Sequence, residues 1–206
     1  ISPSMGDQLD HERNLYIERN PNSFAVFQKA KASLPGGNTR TVLHYSPFPV
    51  VIKRAQGANI EDVDDHHYQD FLGEYTAGLY GHSHPGIIAA VSQALSHGLT
   101  FGGPTEREAQ LAGLICERFP AVERLRFCNS GTEANVLALS SARAHTGRTD
   151  IMVADGSYHG GVLSFAGENP LNAPFPTHRI PFNDPDAAVA KIKSVGSALA
   201  ALLIEP

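Results

Sequence analysis

The sequence predicts an α/β fold: a mainly parallel sheet covered by helices, preceded by a smaller N-terminal α+β segment. Three observations predict it. From Pro85 onward, apolar residues recur at helical spacing in several stretches. Between these stretches lie short, almost wholly apolar runs, the pattern of strands buried on both faces. Before Pro85, short β-rich segments are broken by turn residues instead.

In chain order, residues 11–33 read as an N-terminal arm, with a helix predicted over residues 23–32 and opened by Asn20-Pro21-Asn22. Leu34-Pro35-Gly36-Gly37-Asn38 is a turn cluster, after which residues 41–45 and 50–54 read as short extended segments. Residues 59–64 and 67–71 flank Asp64-Asp65-His66 and predict a hairpin. Ile87, Ile88, Val91 and Leu95 predict one amphipathic helix; Leu111, Leu114, Ile115 and Phe119, after Thr105-Glu106, predict a second. Then follow a strand over 125–128, a helix over 133–145 closed by Gly147, a strand over 151–154, a helix over 184–195 opened by Asn183-Asp184-Pro185, and a strand over 198–204.

Sixteen basic against 21 acidic residues give a net charge of -5. With no basic stretch, the footprint of a nucleic-acid binder is missing, and a small-molecule partner is expected. Cys116 and Cys128 lack the number and spacing of a disulfide framework or zinc site, so both are expected to be reduced structural thiols. No apolar run approaches the roughly 20 residues that span a bilayer. The first residues carry acids and no signal-peptide core. A cytoplasmic location away from any membrane is therefore expected. The chain begins at Ile1 and ends at Glu205-Pro206, directly after an apolar run. It is expected to be the N-terminal part of a longer enzyme.

Ser130-Gly131-Thr132 stands where a strand hands over to a helix. A helix N-terminus there offers free N–H groups and partial positive charge at the carboxyl edge of a sheet, which suits a phosphate. Gly131 lets the backbone approach a ligand, and the two hydroxyls add donors. On those residues alone the plainer reading is a helix cap, with Glu133 favourable in the first turn.

Asn129-Ser130-Gly131-Thr132-Glu133-Ala134, with Gly81-His82-Ser83-His84-Pro85 upstream and Tyr158-His159-Gly160 downstream, resembles the class III aminotransferases and glutamate-1-semialdehyde aminomutases. These are pyridoxal-phosphate enzymes of fold type I. The resemblance runs in order from about Leu34 to Pro206. It implies that Ser130, Gly131 and Thr132 hold the cofactor phosphate, and that Tyr158 lies over the pyridine ring, where a flat aromatic face suits stacking. By the same match His159 belongs to the cofactor pocket, although a neutral structural histidine fits its residue type equally. Glu205, in Leu-Leu-Ile-Glu-Pro, matches the family acid that supports the cofactor site; burying a lone glutamate in an apolar strand would be costly without a partner.

The resemblance also implies an aspartate on the pyridine nitrogen and a Schiff-base lysine, both downstream of the Glu-Pro pair. No catalytic residue is therefore assigned within these 206 residues, and the lysines at 29, 31, 53, 191 and 193 do not match the family's lysine motif. The implied domains are residues 1–80, the N-terminal arm and part of a small domain, and residues 81–206, the first part of the large cofactor-binding domain. A homodimer is implied too.

Arg40 resembles the substrate-carboxylate arginine of the family, its planar fork suited to bidentate binding. Residues 41–49 and 74–80 look most like the β-phenylalanine aminotransferase type. Tyr75, with Tyr80, Tyr45 and Phe48, is a candidate aromatic wall for an aryl side chain, or plain core. The chain has no tryptophan and reads Tyr158-His159-Gly160-Gly161, both departures from the aminomutase pattern. The expected activity is amino transfer between an amino acid, plausibly an aromatic β-amino acid, and a 2-oxo acid. The alternatives are a glutamate-1-semialdehyde 2,1-aminomutase-like isomerase, or a non-catalytic cofactor-binding or interaction protein. No metal site is expected: neither His82-Ser83-His84 nor His66-His67 has a completed ligand set nearby.

Overall fold

The computed structural model describes residues 4–205, so Pro206 lies outside the described residues. The chain divides into two compact units, parted in sequence between Gly103 and Pro104.

The first unit opens with two helices, α1 (Met5–Arg19) and α2 (Pro21–Ala30). The expected helix at 23–32 is α2, beginning earlier because Pro21 is preset for a first turn. Helix α1 was not anticipated. Its signal is Ser4 followed by Asp7, which form a reciprocal capping box. The α2 cap comes from far along the chain: the Asp64 carboxylate accepts the amides of Asn22 (2.7 Å) and Ser23 (2.9 Å). Residues 41–45 are not extended; Thr41–Leu43 form a single 3-10 turn, closed by the Leu43 amide donating to the Arg40 carbonyl.

An antiparallel sheet of β1 (Ile52–Gln56), β2 (Asn59–Asp62) and β3 (His67–Gln69) follows, and the expected hairpin around 64–66 joins β2 to β3. Asp62, fully buried, organises that turn. Its carboxylate accepts the Asp64 and His66 amides and the Tyr68 hydroxyl, and stands 3.0 Å from His66 Nδ1. Burial by itself would raise this carboxyl; the donors outweigh it and hold it below the ordinary value. Phe48 is core here, packed by Tyr16, Phe24 and Phe27, and is no substrate wall; Tyr45 is tied to the Val50 amide. Helix α3 (Pro85–Leu95) ends the unit's regular structure.

The second unit holds α4 (Glu106–Arg118), α5 (Gly131–Thr146), β4 (Asp150–Ala154), β5 (Thr177–Ile180), α6 (Pro185–Val195) and β6 (Leu199–Leu203). The expected strand at 125–128 is absent. Those residues pair with no strand among the described residues, and without a ladder partner an apolar run forms no strand. Strand β5 was not anticipated, being four residues between Pro176 and Pro181. The sheet runs β5-β4-β6, all parallel, as expected of alternating strands and helices.

Central β4 is buried on both faces. Ile151 and Val153 pack with Leu139 of α5, Leu163 and Phe165; Met152 and Ala154 pack with Ile180 and, from α6, Ala188 and Val195. Each large apolar side chain so buried contributes about 1.5–3 kcal/mol. Gly147, left-handed at φ 67°, terminates α5, and the Asp184 carboxylate caps α6 through the Ala187 amide.

Candidate cofactor-binding site

Three chain segments meet at the carboxyl end of the parallel sheet: the first turn of α5, the loop after β4, and the residue pair after β6. The Ser130 hydroxyl oxygen accepts the Glu133 amide at 3.1 Å, and the Glu133 carboxylate accepts the Asn129 amide at 2.9 Å. The cap is therefore present. It does not exhaust the hydroxyl, whose own proton is free to donate to an anion. Thr132 repeats the arrangement, its Oγ1 accepting the Gly161 amide at 3.2 Å while its proton remains available. A Cβ at Gly131 would meet nothing within 4 Å, so the helix start is open to an approaching group.

The loop after β4 folds back on itself. His159 donates its amide to the Leu163 carbonyl, Phe165 donates to Ser157, and Tyr158 bridges Ser164. Asn135, one turn into α5, donates its side-chain amide to the His159 carbonyl at 2.8 Å. Gly160, at φ 130°, lies so close to Thr132 that a Cβ would stand 2.7 Å from the threonine Cβ. These contacts fasten the loop to the helix start. Gly160 stands in the Tyr158-His159-Gly160 motif of the sequence without a role of its own there, and Asn135, within a helix, carries no local signal of this contact.

Tyr158 is 61% exposed, leaving its ring face open. Glu205 lies beyond the end of β6, exposed, and its carboxylate accepts the Tyr158 amide at 3.0 Å. The expectation of a glutamate buried within the strand is corrected: the strand stops at Leu203, and a carboxylate bonded to a backbone amide at the sheet edge keeps its hydration. His159 is buried. Burial lowers its pKa, against the opposing pull of the Glu205 charge, and its Nε2 has no hydrogen-bond partner. The residues present thus fit a phosphate-bearing ring cofactor: two hydroxyl protons, an open helix N-terminus and a free aromatic face occur together.

Arg40 and Tyr75 lie in the first unit, where the Arg40 guanidinium carbon stands 5.9 Å from the Tyr75 ring centroid. Lys53 is engaged by Glu61 and Asp65, and Lys191 and Lys193 are exposed on α6. Cys116 and Cys128 are free and half-buried. Among the described residues no helix is long and apolar enough to cross a membrane, and no group of three or more His, Cys, Asp or Glu has the geometry to hold a metal ion.

Residues 42–206 match the profile of the family described as aminotransferase class-III. The chain is 48% identical over 192 residues to the β-phenylalanine transaminase of Variovorax paradoxus, an alignment covering 93% of this chain and 44% of that protein. It is 36% identical over 202 residues to glutamate-1-semialdehyde 2,1-aminomutase 2 of Brevibacillus brevis, covering 89% and 47%. The crystal structure of the Variovorax paradoxus β-phenylalanine aminotransferase superposes with a TM-score of 0.94 at 46% identity, covering 98% of this chain and 47% of that one. The chain therefore spans about half the length of these relatives. The fold is that of the N-terminal part of a fold-type I transferase.

Proposed function

The chain belongs to the class III aminotransferases, and from that membership we propose that the complete enzyme is a pyridoxal-phosphate-dependent aminotransferase acting between an aromatic β-amino acid and a 2-oxo acid. The convergence of the α5 start, the Tyr158 loop and Glu205 at one sheet edge is the observation that supports it most. Pyridoxal phosphate, when bound, supplies the electron sink for breaking bonds beside the amino-bearing carbon. This chain's part is to bind and orient. Ser130, Gly131 and Thr132 hold the phosphate, Tyr158 stacks on the ring, the neutral imidazole of His159 lines the pocket, and Glu205 fixes Tyr158 through its amide. Arg40 grips the substrate carboxylate, and Tyr75 flanks it.

The β-amino acid preference is supported by the likeness to the Variovorax paradoxus transaminase. In the same proposal the enzyme is a cytoplasmic homodimer. Residues 1–80 serve as arm and part of the small domain, and residues 81–206 as the start of the large domain.

Incubating the full-length polypeptide with 3-amino-3-phenylpropanoate and 2-oxoglutarate tests the reading. Glutamate is expected to appear as the β-amino acid is consumed. Isomerisation of glutamate 1-semialdehyde with no net transfer would assign an aminomutase instead. A protein that binds the cofactor and transfers nothing to any 2-oxo acid would overturn the enzymatic reading.

A further inference from the structure

We propose that Asp70 and His82 are positioning residues for substrate-carboxylate recognition, holding a left-handed turn at residues 73–76 that seats Tyr75 against the Arg40 guanidinium. The proposal rests on the assignment of Arg40 and Tyr75 to substrate binding.

The backbone is the first observation. Gly73, Glu74, Tyr75 and Thr76 have φ of 53°, 54°, 58° and 73°, a full left-handed turn. Only one of the four is glycine, and each residue carrying a Cβ is disfavoured there, because the Cβ crowds the following carbonyl. Such a turn persists only where its surroundings impose it.

The restraints are specific. Asp70, its side chain 8% exposed, accepts the Leu72 amide at 2.8 Å and the Gly73 amide at 3.0 Å through Oδ1, while Oδ2 stands 2.7 Å from His82 Nε2. The other ring nitrogen of His82 faces Glu74 Oε1 at 3.3 Å. His82 is itself fixed to the connection between β1 and β2: its amide and carbonyl pair with those of Gly57, both at 2.8 Å, and the Ser83 hydroxyl donates to the Ala55 carbonyl. Gly78 closes the turn by donating to the Gly73 carbonyl at 3.0 Å. His82, anchored through its backbone to Gly57, thus reaches with its imidazole both Asp70, which holds the start of the strained segment, and Glu74 within it.

The Asp70 carboxyl lies below its ordinary value, first through the His82 hydrogen bond and then through the Gly73 and Leu72 amides. From within the turn, Tyr75 presents its ring to the Arg40 guanidinium. An arginine fork binds a carboxylate bidentately only when its plane is oriented, and a cation held over an aromatic face is so oriented. His82 and Asp70 touch neither group; they act through the turn.

The test is a double-mutant cycle in the full-length enzyme, with 3-amino-3-phenylpropanoate as the donor. Arg40→Ala and His82→Ala are each expected to raise the donor KM about tenfold or more, with kcat within about threefold and the absorbance of bound cofactor unaltered. The double variant is expected to be no worse than Arg40→Ala, since the two changes remove one interaction. Should His82→Ala fail to fold, His82→Gln and Asp70→Asn take its place, with a smaller rise in KM and the same non-additivity. Additive effects, or an unchanged KM in the His82 and Asp70 variants while Arg40→Ala is impaired, would overturn the positioning role alone. An unchanged KM in Arg40→Ala would overturn the carboxylate assignment and the positioning role with it.

Discussion

Thr132 and Gly160 are packed so closely that no side chain fits between them: a Cβ on Gly160 would stand 2.7 Å from the threonine Cβ and 2.8 Å from its Cα. The start of α5 and the loop that carries Tyr158 are thereby held in direct contact, with the Gly161 amide donating to the Thr132 hydroxyl oxygen beside it.

Gly160→Ala is expected to push that loop away from α5, because the clash is with Thr132 backbone and Cβ and φ is 130°. A strained conformation of this kind costs about 1–3 kcal/mol. Denaturant unfolding of the full-length protein should show the loss, and cofactor dissociation should be faster.

The observed cap of Ser130 and the phosphate-donor role proposed for it are separable. As a helix cap it is replaced by glycine at a cost of only a few tenths of a kcal/mol. In the proposed role of phosphate donor a glycine cannot replace its hydroxyl, and a hydrogen bond to a charged group contributes about 1.5–3 kcal/mol. Ser130→Gly is thus expected to leave the melting temperature nearly unchanged while weakening pyridoxal phosphate binding at least tenfold, measured by titration of the apoenzyme. A parallel loss of stability and no change in affinity would make Ser130 a cap and nothing more.

Glu205 reaches Tyr158 through a backbone amide, so its acceptor oxygen matters more than its charge. Glu205→Gln, which keeps that oxygen, is expected to retain cofactor affinity within a few-fold, while Glu205→Ala frees the Tyr158 loop and weakens it. Equal impairment in both variants would show that the negative charge itself is required.

Asp62 anchors the hairpin of the first unit with four donors around a fully buried carboxylate. Asp62→Ala is expected to destabilise the protein by about 3 kcal/mol, and Tyr68→Phe by about 1–2 kcal/mol, in equilibrium unfolding. The pH dependence has a fixed sign. The folded-state pKa of Asp62 is lowered, as is that of Asp64, so their contribution is complete above the unfolded aspartate value near about 3.9 and is lost as pH falls through the lower folded value. Acid unfolding should therefore shift to higher pH in Asp62→Asn.

Much of the second unit was legible in sequence. The Ser130 start and Gly147 stop of α5, the Asp184 cap of α6 and the buried strands β4 and β6 all rest on nearest-neighbour signals. The strand at 125–128 failed because an apolar run specifies only a tendency to pair. Strand β5 was overlooked because four residues between prolines carry almost no periodicity. In the first unit, α1 had its capping box in plain view, but its helix has no buried residue and hence no apolar stripe.

By itself, the sequence determined most of the second unit's helix caps and buried strands, because caps, turns and apolar periods are set by residues a few positions apart, and its Ser130-Gly131-Thr132, Tyr158-His159-Gly160 and Glu205-Pro206 motifs, in that order, carried the resemblance to the family. Only the tertiary structure decided what these residues do to one another. Asp64 caps a helix 41 residues away, Thr132 meets a loop 29 residues on, and Glu205 holds Tyr158 across 47 residues. Such pairs are brought together by the path of the packed chain, and no local propensity encodes them.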